Sequence, residues 1–179
     1  MALLALAAGC TSQSDSPRIA LTDVGFALHL PAPMQQALDS LAPGFHTVRT
    51  TAFRSDVGQA AAAGAGSMQA LFATIGDLDG DGKPDAVVEG TEPGDSALHV
   101  IAIMNGAKPV ALDVARFPSW DADAVGIYLA PPPAGRTGAF EVVDYPDAST
   151  LYQYKDGAFT AATIGSMERL DAAALAASS

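Results

Sequence analysis

The residues best suited to chemistry in this chain lie in the segment from Gly76 to Asp85, which reads Gly-Asp-Leu-Asp-Gly-Asp-Gly-Lys-Pro-Asp. Aspartates occupy four of these ten positions, and glycines allow the backbone between them to bend tightly. A chain that curls around one point directs alternate carboxylates inward, which suits the roughly six to eight oxygen ligands of Ca²⁺. The segment therefore predicts a loop that binds a hard divalent cation, with calcium as the natural occupant.

The spacing of the aspartates follows the first nine positions of a calcium loop. With Asp77 as position 1, positions 3, 5, 6, 7 and 9 are Asp79, Asp81, Gly82, Lys83 and Asp85. The predicted ligands are the side chains of Asp77, Asp79, Asp81 and Asp85 and the backbone carbonyl of Lys83. Because four carboxylates this close would repel one another, a bound cation would also stabilise the loop.

The residues that flank the loop argue against a helix on either side of it. Position 12, where an EF-hand carries a bidentate Glu, is Val88, and Glu89 follows one residue late. The segment 85–90 after Pro84 is short and rich in β-branched residues, and the segment 70–75 before the loop is apolar. We therefore expect the loop to join two strands.

The segment Ile75 to Val88 resembles the strand–loop–strand calcium sites of FG-GAP and VCBS repeats in integrin-like propellers. The resemblance covers a single repeat, because Asp-x-Asp-x-Asp-Gly occurs once in the chain. It implies a structural calcium ion and hairpins like those of a propeller blade. A complete propeller is not implied, since each blade needs neighbours that bury its faces.

The N-terminal residues 1–10, Met-Ala-Leu-Leu-Ala-Leu-Ala-Ala-Gly-Cys, resemble a bacterial lipoprotein signal. The segment 6–9 would be the lipobox, and Cys10, the only cysteine, would be lipidated and become the first residue of the mature protein. The apolar run is short and lacks a basic residue before it, so an alanine-rich tail with an incidental cysteine is the alternative. The lipoprotein interpretation places the protein in the bacterial cell envelope, anchored by lipid to the outer membrane and facing the periplasm.

Length and charge limit the organisation of the remaining chain. A chain of 179 residues, 49% of them hydrophobic, can form one well-packed core. We predict a flexible tether over 11–17, a single β-rich calcium-binding domain over 18–165 and a helix or tail over 166–179. The net charge of -11 argues against binding to nucleic acid or directly to an anionic membrane surface, and it suits a basic protein partner.

Frequent turn signals predict a mainly β fold made of antiparallel meander sheets with blade-like hairpins. One short helix is expected near the N-terminus, from Pro33 to Leu41, where apolar residues recur at helical spacing. The Gly- and Ala-rich segment 54–67 reads as a surface loop or a frayed helical turn. Strands are expected at 24–30, 46–53, 97–104, 109–116, 125–130, 140–144, 150–154 and 158–164.

Catalytic constellations have weak support in this sequence. The three histidines lie in separate expected strands without the close spacing of a zinc site. Two carboxylate pairs, Glu141 with Asp144 and Asp121 with Asp123, could perform general acid and base chemistry in a cleft. Neighbouring acids on an acidic protein are more often a solvated face. Trp120 is expected to cover the end of a sheet, with an exposed binding anchor as the alternative.

These observations predict a non-catalytic envelope lipoprotein with one structural calcium ion that acts by binding another protein. Its layout is similar to that of bacterial periplasmic immunity proteins that inhibit peptidoglycan hydrolases, and an acidic inhibitor suits a basic secreted hydrolase. The alternatives are an envelope hydrolase that uses one of the carboxylate pairs and a purely structural envelope lipoprotein.

Overall fold

A computed structural model of the chain describes residues 15–65, 71–131, 137–146 and 148–164. The described residues form strands in antiparallel sheets with two α-helices, which confirms the prediction of a mainly β fold. The lipobox with Cys10, most of the expected tether and the C-terminal segment 166–179 lie outside the described residues. Neither described helix has the length and apolar composition needed to cross a bilayer.

A short hairpin and a helix begin the described chain. Strand β1 (Arg18–Thr22) pairs with β2 (Gly25–His29), where the positive φ of 117° at Gly25 opens the second strand. Helix α1 (Ala32–Leu41) follows Pro31 and confirms the helix expected in this region. Met34 and Leu38, one turn apart, are its buried residues, so α1 packs its apolar face against the core.

The first large sheet has five strands in the order β3-β5-β6-β7, with β4 also paired to β5. Every residue of β6 and all but the last of β5 are buried, so these two strands form the centre of the core. The strands are β3 (His46–Thr47), β4 (Ala73–Gly76), β5 (Asp85–Thr91), β6 (Leu98–Met104) and β7 (Val110–Phe117).

The strand expected from His46 to Phe53 is wrong beyond its first two residues. After β3 the backbone forms a 3₁₀ turn at Thr50–Ala52 and leaves β5. The backbone leaves β5 because residues at the end of the turn and beyond it bond to Val125 instead. The N–H of Val125 donates to the Ala52 carbonyl at 2.9 Å, and the N–H of Arg54 donates to the Val125 carbonyl at 3.1 Å. Competition from a distant segment therefore shortens the strand.

The second large sheet is a four-stranded meander in the order β11-β10-β9-β8. A tight turn at Asp156 and Gly157, with φ values of 52° and 88°, joins its last two strands and confirms the hairpin expected there. Phe140 stacks on Tyr152 across the sheet with ring centroids 5.3 Å apart. The strands are β8 (Ile127–Ala130), β9 (Ala139–Asp144), β10 (Ala148–Lys155) and β11 (Ala158–Ile164).

A second helix, α2 (Ser55–Ala65), occupies most of the segment expected to be a loop or a frayed turn. Its Val57 is fully buried in a small cluster with Leu71, Tyr128 and Val143. Alanine has the highest helix propensity, and burial of Val57 adds the tertiary support that an isolated alanine-rich segment lacks. The helix therefore packs on the second sheet.

The two large sheets share one core. A single hydrophobic cluster contains residues of β5 and β6 from the first sheet and of β8 and β9 from the second. The backbone N–H of Leu129 in β8 donates to the carbonyl of Leu71 at 2.7 Å, just before β4. The segment that leads into the acidic loop therefore lies where the sheets meet.

Candidate metal centre

The acidic loop is the connection of a β-hairpin. Gly76 and Asp85 form the last pair of the ladder between β4 and β5, so residues 77–84 make the turn. Gly80 and Gly82 have φ values of 80° and 84°, which residues with a side chain rarely adopt. The expectation that the loop joins two strands is confirmed. The positive φ values explain why glycines occupy positions 80 and 82 of the loop.

Three carboxylates converge inside this loop. Oxygen atoms of Asp77, Asp79 and Asp85 all lie within 4.8 Å of one another. Two oxygens that bind one Ca²⁺ at about 2.3 to 2.6 Å can be separated by at most roughly 5 Å. The three side chains therefore fit simultaneous coordination of one hard cation, with Asp77 and Asp79 exposed and Asp85 buried.

Asp85 is the anchored member of the three. Its Oδ1 accepts from the backbone N–H of Asn105 at 2.7 Å, and its Oδ2 accepts from that of Leu78 at 2.8 Å. Burial raises the pKa of Asp85, the two backbone donors oppose the rise, and the charges of Asp79 and Asp81 add to it. A cation in the loop would offset both the burial and the repulsion.

Backbone donors of the loop also orient the exposed carboxylates. Asp77 accepts through Oδ1 from Gly80 at 2.7 Å and through Oδ2 from Gly82 at 3.0 Å. Asp79 Oδ1 accepts from the backbone N–H of Asp81 at 3.0 Å. Each carboxylate oxygen has a second lone pair available, so these bonds pre-organise the loop and are compatible with metal coordination.

The fourth predicted aspartate has a different position. Asp81 is exposed, its Oδ1 accepts from the backbone N–H of Lys83 at 2.8 Å, and it lies outside the group of three converging carboxylates. It still acts on the site through its charge, which contributes to the raised pKa of Asp85. The role of the Lys83 carbonyl as a ligand stays a prediction.

The loop packs against the second sheet through Leu78. This side chain points into the shared core, where it is only 5% exposed. On the opposite side Gly138, directly before β9, has a φ of 68°, and a Cβ at that position would lie 2.9 Å from the Leu78 carbonyl oxygen. The backbone of the second sheet can approach the loop this closely only because residue 138 is glycine.

A polar cluster that the sequence does not indicate surrounds His99. Its Nδ1 lies 3.2 Å from Asp113 Oδ2, and its Nε2 lies 3.1 Å from Asp95 Oδ2. Arg116 completes the cluster, because its Nη2 donates to Asp95 Oδ1 at 3.0 Å and to Asp95 Oδ2 at 2.9 Å. The backbone N–H of Ala97, then Arg116 and His99, hold the pKa of Asp95 well below its usual range. The cluster ties the β5–β6 connection to β7.

The two carboxylate pairs considered for catalysis have different environments. Glu141 and Asp144 are three residues apart in β9 and therefore project from opposite faces; Glu141 is buried and accepts from the Ser149 hydroxyl, and Asp144 is exposed. Asp121 accepts from the backbone N–H of Asp123 at 2.9 Å in an exposed turn. The placement of Glu141 and Asp144 does not match the opposed carboxylates of a glycoside hydrolase.

Glu89 and Trp120 also have defined environments. Glu89 is fully buried, and neither of its carboxylate oxygens has a hydrogen-bond partner among the described residues. Burial raises its pKa well above the usual value, because desolvation disfavours the charged form. Trp120 is partly buried against the core and donates from Nε1 to the Ser96 carbonyl at 2.7 Å, which fits the interpretation that it covers the end of a sheet.

No protein-family model, curated protein or solved structure matches the chain.

Proposed function

We propose that the chain is a non-catalytic cell-envelope lipoprotein whose β domain holds one structural calcium ion and acts by binding another protein. The observation that carries the calcium site is the convergence of Asp77, Asp79 and Asp85 within 4.8 Å in a hairpin loop. The converging carboxylates and the predicted Lys83 carbonyl offer oxygen donors, which suit Ca²⁺ and do not suit metals that prefer nitrogen or sulfur ligands.

A structural role for the ion follows from the position of the loop. Leu78 packs in the shared core and the loop backbone contacts Gly138, so a cation that rigidifies the loop stabilises the contact between the sheets. An ion that binds only the folded state stabilises it by about 2.7 kcal/mol at a concentration one hundred times its dissociation constant. Calcium would therefore raise the free energy of unfolding of the whole fold.

The envelope location is supported by the N-terminal sequence. Residues 6–9 and Cys10 match a lipobox and its lipidated cysteine, and the domain would follow a short tether. A calcium loop without the position 12 carboxylate suits the weak affinities, roughly 10⁻⁴ to 10⁻³ M, that are typical of modules outside the cytosol. The proposed lipid anchor and the proposed calcium site thus both favour a location outside the cytosol, in the cell envelope.

The proposed partner is a basic secreted hydrolase that the protein would inhibit. The net charge of -11 would speed the encounter with a basic enzyme and would make the association rate fall with ionic strength. The hydrolase alternative for this chain would have to use Asp121 with Asp123, or acids from different elements, because Glu141 and Asp144 project from opposite faces of β9. The purely structural alternative differs from the proposal in having no soluble enzyme as its partner.

The calcium proposal is tested by thermal unfolding of the full chain with saturating calcium and with a chelator. The expected result is a higher midpoint with calcium, because the ion binds only the folded loop. The matched control is the double variant Asp77→Asn/Asp79→Asn, whose midpoint should be insensitive to calcium. An unchanged midpoint of the native chain at saturating calcium would overturn the structural role.

The partner proposal is tested by capture from envelope extract with a variant in which Cys10→Ser removes the lipid anchor. We expect retention of a basic peptidoglycan hydrolase, release of that enzyme by salt and inhibition of its activity on peptidoglycan. Release by salt separates electrostatic recognition from apolar adhesion. Peptidoglycan cleavage by the purified chain itself would overturn the non-catalytic assignment.

A further inference from the structure

Asn105 lies directly after β6, where the chain turns toward β7. It is the only asparagine among the 179 residues, and the next residue is Gly106. Residues 105–109 make the connection, because Met104 and Val110 form the last pair of the β6–β7 ladder. Asn105 and Gly106 are both half-buried, so water has access to them. A side-chain amide is thus followed by a residue without a side chain in a surface turn.

The chemistry open to this pair is intramolecular attack on the side-chain amide. The nitrogen of Gly106 bonds to Cγ of Asn105, the bond from Cγ to Nδ2 breaks, and Nδ2 leaves as ammonia with the proton of the attacking nitrogen. Water then opens the cyclic succinimide at either carbonyl and gives aspartate or isoaspartate. Because both reacting groups belong to adjacent residues, the step needs no second molecule until water enters. Asparagine counts among the thermolabile residues for such reasons.

The attacking nitrogen is free in this structure. Within residues 15–65, 71–131, 137–146 and 148–164, the N–H of Gly106 donates no hydrogen bond. The two glycines of the acidic loop, each directly after an aspartate, differ in this respect. The N–H groups of Gly80 and Gly82 donate to Asp77 at 2.7 and 3.0 Å, and attack by either nitrogen would first have to break that bond.

The two polar groups of Asn105 are held to different degrees. Its backbone N–H donates to Asp85 Oδ1 at 2.7 Å, which fixes the main chain before the reacting bond. Its Nδ2 lies 3.4 Å from the carbonyl oxygen of Asp15, which is long for a hydrogen bond. The amide group is therefore only weakly restrained, and Gly106 gives the following backbone the freedom to approach it.

We propose that Asn105 is a site of spontaneous deamidation, by which the folded chain acquires a negative charge beside Asp85 over time. The nitrogen of residue 105 takes no part in the reaction, so it stays next to Asp85 Oδ1 in both products. Three covalent bonds separate this nitrogen from the side-chain carboxyl carbon of the aspartate product, which places the new charge within roughly 7 Å of that oxygen. In the isoaspartate product the free carboxylate is attached to Cα and lies one bond nearer.

The new carboxylate changes two interactions at this end of the first sheet. Its distance from Asp85 is shorter than the Debye length of about 8 Å at physiological ionic strength, so the two charges repel with little screening. A carboxylate also has no proton to donate to the Asp15 carbonyl. Deamidation is therefore expected to lower the free energy of unfolding of the calcium-free protein.

The reaction is tested by incubating the full chain in mildly alkaline, calcium-free buffer, far below its unfolding midpoint. We expect the peptide that contains Asn105 to gain one mass unit, and to take up one heavy oxygen when the buffer is made with heavy-oxygen water. It should separate into two products of equal mass, of which one is a substrate of isoaspartyl methyltransferase.

Gly106→Ala is the matched control for the chemistry. A Cβ at this position would meet only the Lys108 carbonyl oxygen, 3.9 Å away, and the φ of Gly106 lies outside the left-handed range, so alanine fits the fold. The methyl group crowds the attacking nitrogen and should slow the reaction by roughly tenfold or more, which is about 1.4 kcal/mol on the barrier. Equal rates for Gly106→Ala and the native chain would overturn the proposal.

The rate in urea shows whether the folded chain itself reacts. The unfolded fraction of a stable domain is about 10⁻³ to 10⁻⁶, so a reaction that required unfolding would be roughly a thousandfold slower, or more, without urea. We expect a slowing of roughly a hundredfold or less, because the Gly106 nitrogen is already free in the fold. A slowing of roughly a thousandfold or more would overturn the proposal.

The position of the new charge is tested by thermal unfolding of Asn105→Asp and Asn105→Leu in calcium-free buffer. Both variants lose the Nδ2 donor and have side chains of similar shape, and only the aspartate adds a charge. We expect the midpoint of Asn105→Asp, relative to Asn105→Leu, to rise as salt is added, because salt screens the repulsion from Asp85. A difference that does not change with salt would refute this placement. The inference is independent of the proposed function, because it requires neither calcium nor a partner.

Discussion

The three converging carboxylates differ in what a bound cation would change. Asp85 is buried and already accepts two backbone hydrogen bonds, so a cation would mainly offset its cost of burial. Asp77 and Asp79 are exposed, so folding costs them little hydration. The position of the Asp85 side chain is therefore fixed by the folded core. The positions of Asp77 and Asp79 depend on the backbone conformation of the loop.

Asp79→Asn and Asp81→Asn form a matched pair, since both residues are exposed and each substitution removes one negative charge. We expect Asp79→Asn to weaken calcium binding by roughly tenfold or more, because its carboxylate belongs to the converging group. Asp81→Asn should weaken binding by about threefold or less, because it contributes only a screened charge. Calorimetric titration measures both affinities. Equal losses would mean that Asp81 is also a ligand, as its spacing predicts.

Glu89 gives the fold a defined pH dependence. Because burial raises its folded-state pKa well above the ordinary value of 4.5, the folded protein holds the proton more tightly than the unfolded chain. This contribution to stability is fully present below pH 4.5 and is lost as pH rises toward the folded-state pKa. Within that window it changes by about 1.4 kcal/mol per pH unit.

The substitution Glu89→Gln removes this titration and keeps the shape of the side chain. We expect the difference in the free energy of unfolding, variant minus native chain, to grow with pH above 4.5. Urea unfolding over a pH series at saturating calcium measures this difference. Glu89→Met should give the same dependence, because it also lacks the titrating group, and parallel curves for all three proteins would refute the assignment.

At the scale of elements, the turn residues make the hairpins predictable from the sequence. Strand ends are harder to predict, because distant segments compete for their backbone hydrogen bonds. The Asp-Gly turn and the alternating residues around it indicate β10 and β11, and the acidic loop indicates the hairpin of β4 and β5. The short β3 follows from bonds to Val125, more than 70 residues away. The burial of Glu89 likewise depends on both faces of β5 being covered, which local spacing does not reveal.

Helix α2 is a second element that its own sequence does not determine, because its composition fits both a helix and a loop. Its alanines favour a helix, but Gly58 and the glycines that follow resemble a loop. The burial of Val57 against the second sheet decides between the two. Because that contact is tertiary, the helix could not be predicted from its own residues.

Gly58→Ala tests whether α2 contributes to global stability. A Cβ at this position meets no atom within 4 Å, so the substitution should raise the free energy of unfolding by about 0.5 to 1 kcal/mol through helix propensity alone. Gly82→Ala is the contrasting variant, since its φ of 84° should make alanine cost about 1 to 2 kcal/mol. Urea unfolding compares the two, and a destabilising Gly58→Ala would contradict a helix at this position.

At the scale of the whole molecule, the acidic loop lies where the two sheets meet. Leu78 joins their common core, and Asn105 at the end of β6 fixes Asp85 from the first sheet. Gly138 brings the start of β9 against the same loop. Coordination of an ion would therefore stabilise the same loop conformation as contact between the sheets, and by linkage each would strengthen the other.

Gly138→Ala and Gly94→Ala test this coupling as a matched pair. Both glycines have positive φ, 68° and 82°, so alanine should cost about 1 to 2 kcal/mol of backbone strain at either position. Only at Gly138 does the added Cβ collide with the Leu78 carbonyl, at 2.9 Å, and overpacking should cost about 1 to 3 kcal/mol more. A Cβ at Gly94 would meet open space, so Gly94→Ala should lower the free energy of unfolding by the backbone strain alone.

The calcium affinities of the same two variants show whether ion binding is coupled to the contact between the sheets. A variant that only lowers the free energy of unfolding should keep its calcium affinity. The collision at Gly138 displaces the loop that carries Asp77 and Asp79, so Gly138→Ala should bind calcium more weakly than the native chain at a temperature where both are folded. Gly94→Ala should retain native affinity, because Gly94 lies in the connection between β5 and β6. Calorimetric titration beside a circular dichroism check of folding measures both. Native affinity in a folded Gly138→Ala would mean that the loop binds its ion independently of the second sheet, and the structural role of calcium would then be confined to the β4–β5 hairpin.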